Sequence, residues 1–358
     1  MLKIYYNDKG LNLINEKHES ILYPFFQSTF INLYDNELIF EKIIKNNTSI
    51  QEKNSLFKMS KNGIYKINLD FPFQSSMICR IFSLYEYPKY YSPTFDYENT
   101  ENKYYLGVYN TKRSIPEFDA LEYGNSILFL MNKNTGEIDW YWSLDNYLKE
   151  NNISFTTETM PAIQSAIKIG KNKIGLSEET ILISLSMINQ ILFIQPYTGK
   201  IELILTAEDF LDKTITSFID AHIIPEGLEG EGNLLFYNNN FDKLNYSEII
   251  EYDLVNKKIV FEFSNEHLMT RFMNAGSVQK LPNGNYYIYN YQKRKLIEVD
   301  KNKNIISIIQ ISVNYGDEYN KTTQFAISPR SYQIPEEWAT NFINKIKTIE
   351  NFVMTYEE

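Results

Sequence analysis

Short apolar runs broken by polar turns recur along this chain. In FDALEYGNSILFLMNKNTGEIDWYWSL, from Phe118 to Leu144, an apolar run meets Asn134, Thr135 and Gly136, and a second run returns. That pattern predicts a β-hairpin, because the turn residues tolerate the backbone angles that reverse a strand. The plan recurs in ILFIQPYTGKIELIL, turning at Tyr197 to Gly199, and in SEIIEYDLVNKKIVFEF, turning at Asn256 and Lys257. It recurs again in KLIEVDKNKNIISIIQI, turning at Asn302 to Asn304.

A further short strand is expected ahead of each hairpin. Five tetrads align: FDAL from Phe118, QSAI from Gln164, IDAH from Ile219, GSVQ from Gly276 and RSYQ from Arg330. Their second residues, Asp119, Ser165, Asp220, Ser277 and Ser331, are 46, 55, 57 and 54 positions apart. A Gly-Asn pair (Gly124-Asn125, Gly232-Asn233 or Gly284-Asn285) follows three of them and predicts the next turn. Units of this length with four short strands predict an all-β propeller of six four-stranded blades. No linker divides the chain, so residues 1–358 read as a single domain. Trp338, Phe342, Ile346, Ile349 and Val353 recur with helical spacing after Pro335, which predicts a C-terminal helix over about 335–355. The RSYQ strand is then expected to close the ring against N-terminal strands.

Composition narrows the function. The 28 Tyr and 23 Phe suit strands. A net charge of −10 without a basic stripe argues against nucleic acid. Cys79 is the only cysteine, so no intrachain disulfide or cysteine metal site is possible. The first residues do not read as a secretory signal, and no run is long enough to span a membrane, so a cytoplasmic protein is expected. No cofactor is expected. Asp220, His222 and Glu226 do not have a recognisable metal-ligand spacing.

The run DAHIIPEGLEGEGNLLFYNNN from Asp220 and the run QKLPNGNYYI from Gln279 carry a resemblance. They are similar to segments of the arylsulfotransferase-like β-propellers over about residues 217–300. The resemblance implies a propeller whose central channel binds a small aromatic or anionic molecule. It also implies sulfuryl transfer between phenols through a histidine. That chemistry needs a neutral imidazole nucleophile, donors for the charged oxygens, and a base for a phenol of pKa ~10. The family lines its channel with several histidines. This chain has His18, His222 and His267, and Ile219 stands where the family has a channel histidine.

Candidate residues follow. His222 is the expected catalytic residue, with Asp220 orienting it, since positions i and i+2 of a strand share a face. Both residues also fit a packing role, because Asp119 repeats the Asp in another tetrad. Arg330 occupies the channel slot of its tetrad and suits an anion; a surface ion pair suits it equally. Arg271, Asn239 and Gln164 complete the expected substrate-binding set. Asn238 to Asn240 also suit a tight turn. The glycines of GLEGEGN read as turn formers. A non-catalytic binding or scaffold propeller, or a biosynthetic enzyme with a repurposed channel, are the alternatives.

Overall fold

The computed structural model describes side chains for residues 126–130, 138–154, 161, 163–185, 188–210, 213–239, 247–265, 268, 276–290, 293 and 295–310, and backbone strands alone elsewhere in 2–132 and 331–334. Among the described residues the strands form six four-stranded antiparallel sheets. The first joins β1 (Leu2–Asn7), β2 (Gly10–Ile14) and β3 (Ser20–Tyr23) to β24 (Ser331–Ile334). The second is β4 (Ile31–Tyr34), β5 (Glu37–Ile44), β6 (Lys53–Ser60) and β7 (Gly63–Ile67). The third is β8 (Cys79–Leu84), β9 (Tyr104–Ile115), β10 (Ala120–Asn132) and β11 (Ile138–Ser143). The fourth is β12 (Ile163–Lys168), β13 (Ile181–Leu185), β14 (Gln190–Ile194) and β15 (Ile201–Thr206). The fifth is β16 (Phe218–Ile223), β17 (Leu234–Asn238), β18 (Glu248–Asp253) and β19 (Lys258–Ser264). The sixth is β20 (Ser277–Lys280), β21 (Tyr286–Asn290), β22 (Lys295–Val299) and β23 (Ile305–Gln310).

All four expected hairpins are present, each as the third and fourth strands of its sheet. The tetrads QSAI, IDAH, GSVQ and RSYQ fall at or in the first strands β12, β16, β20 and β24. FDAL does not. It leads into β10, the third strand of its sheet, and β8 takes the first place. Gly124-Asn125 is not a turn between strands. It is an irregularity inside β10, where the register with β9 shifts between Tyr123 and Ser126. The RSYQ strand pairs with an N-terminal strand: Lys3 lies opposite Gln333 and Ile4 opposite Tyr332. The proposed C-terminal helix lies outside the described residues.

Burial explains why the inner strands lost the alternation usual for strands. Every residue of β13, β16, β17 and β21 is buried, whereas β23 alternates between half-buried and exposed positions along most of its length. An inner strand covered on both faces by neighbouring sheets has no solvent side, so its sequence is apolar throughout. The cores accordingly lie between consecutive sheets. One joins Leu182 and Phe193 to Phe218, Phe236 and Ile250. Another joins Ile219, Tyr237 and Ile249 to Val278, Ile288 and Ile297. Phe210 centres the first, with its ring 4.5 Å from Tyr252, 5.4 Å from Phe236 and 5.5 Å from Phe218.

One helix was not expected from the pattern. α1 (Leu144–Glu150) begins where β11 stops. The Ser143 hydroxyl accepts from Asn146 N at 3.4 Å and caps the helix, with Asp145 in the first turn. Leu144, Tyr147 and Leu148 bury its inner face.

The GLEGEGN stretch is turn chemistry. Gly227, Gly230 and Gly232 sit at φ +85°, +83° and +82°, the left-handed region that side chains avoid. Gly230 also lies directly against the Glu251 carboxylate, with no room for a methyl group. Gly230→Ala is expected to lower stability by about 1–3 kcal/mol, read as a lower denaturant midpoint with an unchanged slope.

Candidate functional site

The first strand of the fifth sheet is irregular where the candidate residues lie. Ile219 pairs with Tyr237 and His222 with Leu235, so β16 carries one residue more than β17 across this interval. The bulge is built on Asp220 at φ +54°. A short polar side chain tolerates this conformation better than most. The extra residue interrupts the pairing with β17 at Asp220 and Ala221, between the two paired positions.

The bulge still brings the two residues together. His222 Nδ1 lies 2.7 Å from the Asp220 main-chain oxygen. A carbonyl can only accept, so Nδ1 carries the hydrogen, and in the neutral ring Nε2 holds the lone pair. The contact between the pair is thus through the backbone. The Asp220 carboxylate points elsewhere: Oδ2 accepts from Val278 N, on β20, at 3.0 Å. Asp220 is 5% exposed and His222 2%.

Asn238 and Asn239 tie the chain entering β16 to the end of β17. Asn238 Oδ1 accepts from Thr216 N at 3.2 Å, and its Nδ2 donates to the Thr214 carbonyl at 3.0 Å and to Glu248 Oε2 at 3.3 Å. The Asn239 carbonyl accepts from Thr216 Oγ1 at 2.7 Å, and its Oδ1 accepts from Ser247 Oγ at 3.0 Å. Gln164 is half-buried on β12, at a register shift between Ile163 and Ser165 that parallels the bulge in β16. Arg330 and Arg271 lie outside the described residues, as do His18 and His267. Among the described residues, no group of three or more His, Cys, Asp or Glu is arranged to hold a metal ion. No helix there is long and apolar enough to cross a membrane.

Sequence reasoning missed a buried polar cluster between the fifth and sixth sheets. Glu251, on β18, is its centre. Its Oε1 accepts from Asn233 Nδ2 at 2.6 Å, and its Oε2 accepts from Tyr286 Oη at 2.6 Å and from Lys280 Nζ at 3.4 Å. The Lys280 ammonium also stands 3.8 Å from the centre of the Tyr286 ring, whose other neighbour, Phe261, stacks on it at 3.8 Å. Lys280 and Glu251 are almost wholly buried. The available signal was a Glu between Ile250 and Tyr252 in β18 and a Lys at the end of β20, both inside buried strands.

Burial pulls the Lys280 ammonium below the usual lysine range, against the attraction of Glu251. Burial, and then the Glu251 charge, push the Tyr286 phenol above its ordinary value. Burial raises Tyr237 in the same direction. A phenol whose folded pKa is raised stabilises fully below its unfolded value of 10.0, and that contribution is lost as pH climbs past it. Lys280 acts oppositely, adding stability between its lowered value and 10.5. The melting temperature is therefore expected to fall steeply above pH ~10, and less steeply in Tyr286→Phe. Parallel melting curves of the two proteins against pH check this.

The fold and this site define a class, an all-β, propeller-like chain of four-stranded sheets packed in sequence. The profile of the arylsulfotransferase (ASST) family matches residues 117–311, more than half the chain. The chain belongs to that family. Similar solved structures include a protein of unknown function from Bacteroides caccae, at 12% identity and TM-score 0.50, covering 93% of this chain and 99% of that one. Virginiamycin B lyase from Staphylococcus aureus aligns at 11% identity and TM-score 0.43, over 87% of this chain and 82% of its own. The β-propeller domain of Myceliophteria thermophila Cps50 (Swd1) aligns at 9% identity and TM-score 0.39, over 80% and 87% respectively. No curated protein matches this chain.

Proposed function

We propose that the protein is a single closed propeller of six blades that binds a small aromatic or anionic molecule at its axis and transfers a group to or from a phenolic oxygen. The pairing of β24 with β1 supports closure, since it joins the last strand to the first. The first strands β12, β16, β20 and β24 then stand around the axis. Arg330, just ahead of β24, holds the anion, assisted by Arg271, Gln164 and Asn239.

One observation carries the catalytic reading. His222 donates from Nδ1 to the Asp220 carbonyl, which sets the tautomer with the lone pair on Nε2, the nitrogen that attacks on this reading. In sulfuryl transfer, Nε2 attacks sulfur and the bond from sulfur to the aryl oxygen breaks, releasing the aryl oxide. The acceptor phenol then passes its proton to the released aryl oxide, its oxygen attacks the same sulfur, and the bond from Nε2 to sulfur breaks. A phenyl sulfate donor and a phenol acceptor, with wild type and His222→Ala side by side, test this. The variant is expected to lose turnover by more than about 100-fold while still folding. Unchanged turnover in the variant removes His222 from the chemistry.

A second reading rests on a specific observation. The Asp220 carboxylate is engaged with Val278 N, and His222 is 2% exposed, as suits residues that only pack the seam. On that reading the propeller is a non-catalytic binding module. Saturable binding of the aryl sulfate by calorimetry, without turnover in the wild type, favours it.

A further inference from the structure

The ion pairs of the fifth sheet share one polarity. Among the described residues, every ion pair joining the unit β16–β19 to another part of the chain has its carboxylate on that unit and its ammonium outside. Lys171, between β12 and β13, pairs with Glu226. Lys213, on the connection into β16, pairs with Glu248 at 3.3 Å and Glu262 at 2.6 Å. On the other flank, Lys280 pairs with Glu251 at 3.4 Å, Lys301 with Glu229 at 3.6 Å, and Lys303 with Glu262 at 3.9 Å. The sequence has the same bias. Phe218 to Ser264 holds nine carboxylates and three lysines, whereas Ser277 to Gln310 holds six basic residues and two acids.

The apolar cores on the two flanks of this sheet are of one kind, mixtures of Ile, Leu, Phe and Tyr. Apolar packing of this sort tolerates many partners of similar volume, so it discriminates weakly between neighbours. A repeat chain is exposed to that ambiguity, because its units resemble each other and misassembly is its characteristic failure. Charge discriminates well. The fifth sheet placed against another copy of itself sets Glu against Glu, and the fourth placed directly on the sixth sets Lys171 towards Lys301. Burying Lys280 with Glu251 adds little net stability compared with an apolar pair of the same size. It does impose a partner.

We propose that this polarity is an address that seats the acidic β16–β19 sheet between β12–β15 and β20–β23 as the chain folds. Its role is in selecting the correct seams, not in holding them once formed. Exposed pairs of this kind contribute little to stability, so they can be reversed without unfolding the protein.

The test uses one exposed pair from each flank. Glu226→Lys with Glu229→Lys is expected to leave the melting temperature close to wild type. On refolding from denaturant at low salt, it is expected to give a several-fold larger fraction of associated or slowly refolding species by size-exclusion chromatography. Adding Lys171→Glu and Lys301→Glu restores complementarity with the signs exchanged, and is expected to return refolding to the wild-type course. The buried pair is tested separately by Glu251→Leu with Lys280→Met, expected to melt somewhat lower, because the Tyr286 hydroxyl loses its acceptor, and to refold less uniquely. Wild-type refolding of the first variant, or failure of the reversed pairs to rescue it, overturns the proposal.

Discussion

Replacing Glu251 by Ala is expected to cost about 3–5 kcal/mol of stability, among the largest single effects in the molecule. The reason is what remains. Glu251 accepts from three groups at once, and Lys280 lies beside it almost wholly buried. Without the carboxylate, an ammonium is left between two sheets with the Tyr286 ring face and the charge of Glu229 to compensate it. The cost should shrink when Lys280→Met is added, because the stranded charge is then gone. Denaturant unfolding of the single and double variants reads this coupling directly. Equal losses in both contradict the account of the cluster.

Replacing Phe236 by Ala is expected to cost a similar amount, about 3–5 kcal/mol, for a different reason. Phe236 is fully buried on β17, and its ring meets Phe210 at 5.4 Å and Phe218 at 5.0 Å, both near edge-on. Its removal opens a cavity in the seam between the fourth and fifth sheets. The surrounding rings belong to separate elements, so the space closes only in part. A lower midpoint in denaturant, with the slope retained, is the expected result.

Much of the fold was legible because each hairpin carries its own turn residues. Gly199, Lys257 and Lys303 take positive φ in three of those turns. FDAL misled because Gly124-Asn125 has the composition of a turn while β10 runs through it with a shifted register. Helix α1 was hidden because a capping serine ends one strand and starts a short helix with no break in polarity.

Of the candidate residues, Asp220 and His222 are neighbours, as their spacing implied, but the ring meets the main-chain oxygen of Asp220 and not its carboxylate, a detail that a bulge in β16 hides from the sequence. The Glu251 cluster left only a weak trace in the sequence, a Glu and a Lys in two different strands. Its members come from β18, β20, β21 and the turn before β17, and only the packing of one sheet on the next assembles them.

The most direct test of the proposed function is the mass of the protein after brief exposure to a phenyl sulfate donor without acceptor. Group transfer through His222 predicts a gain of one sulfuryl group, localised to the peptide containing His222 and discharged when a phenol is added. Unchanged mass in a wild-type protein that turns the donor over, or an adduct that persists in His222→Ala, contradicts it.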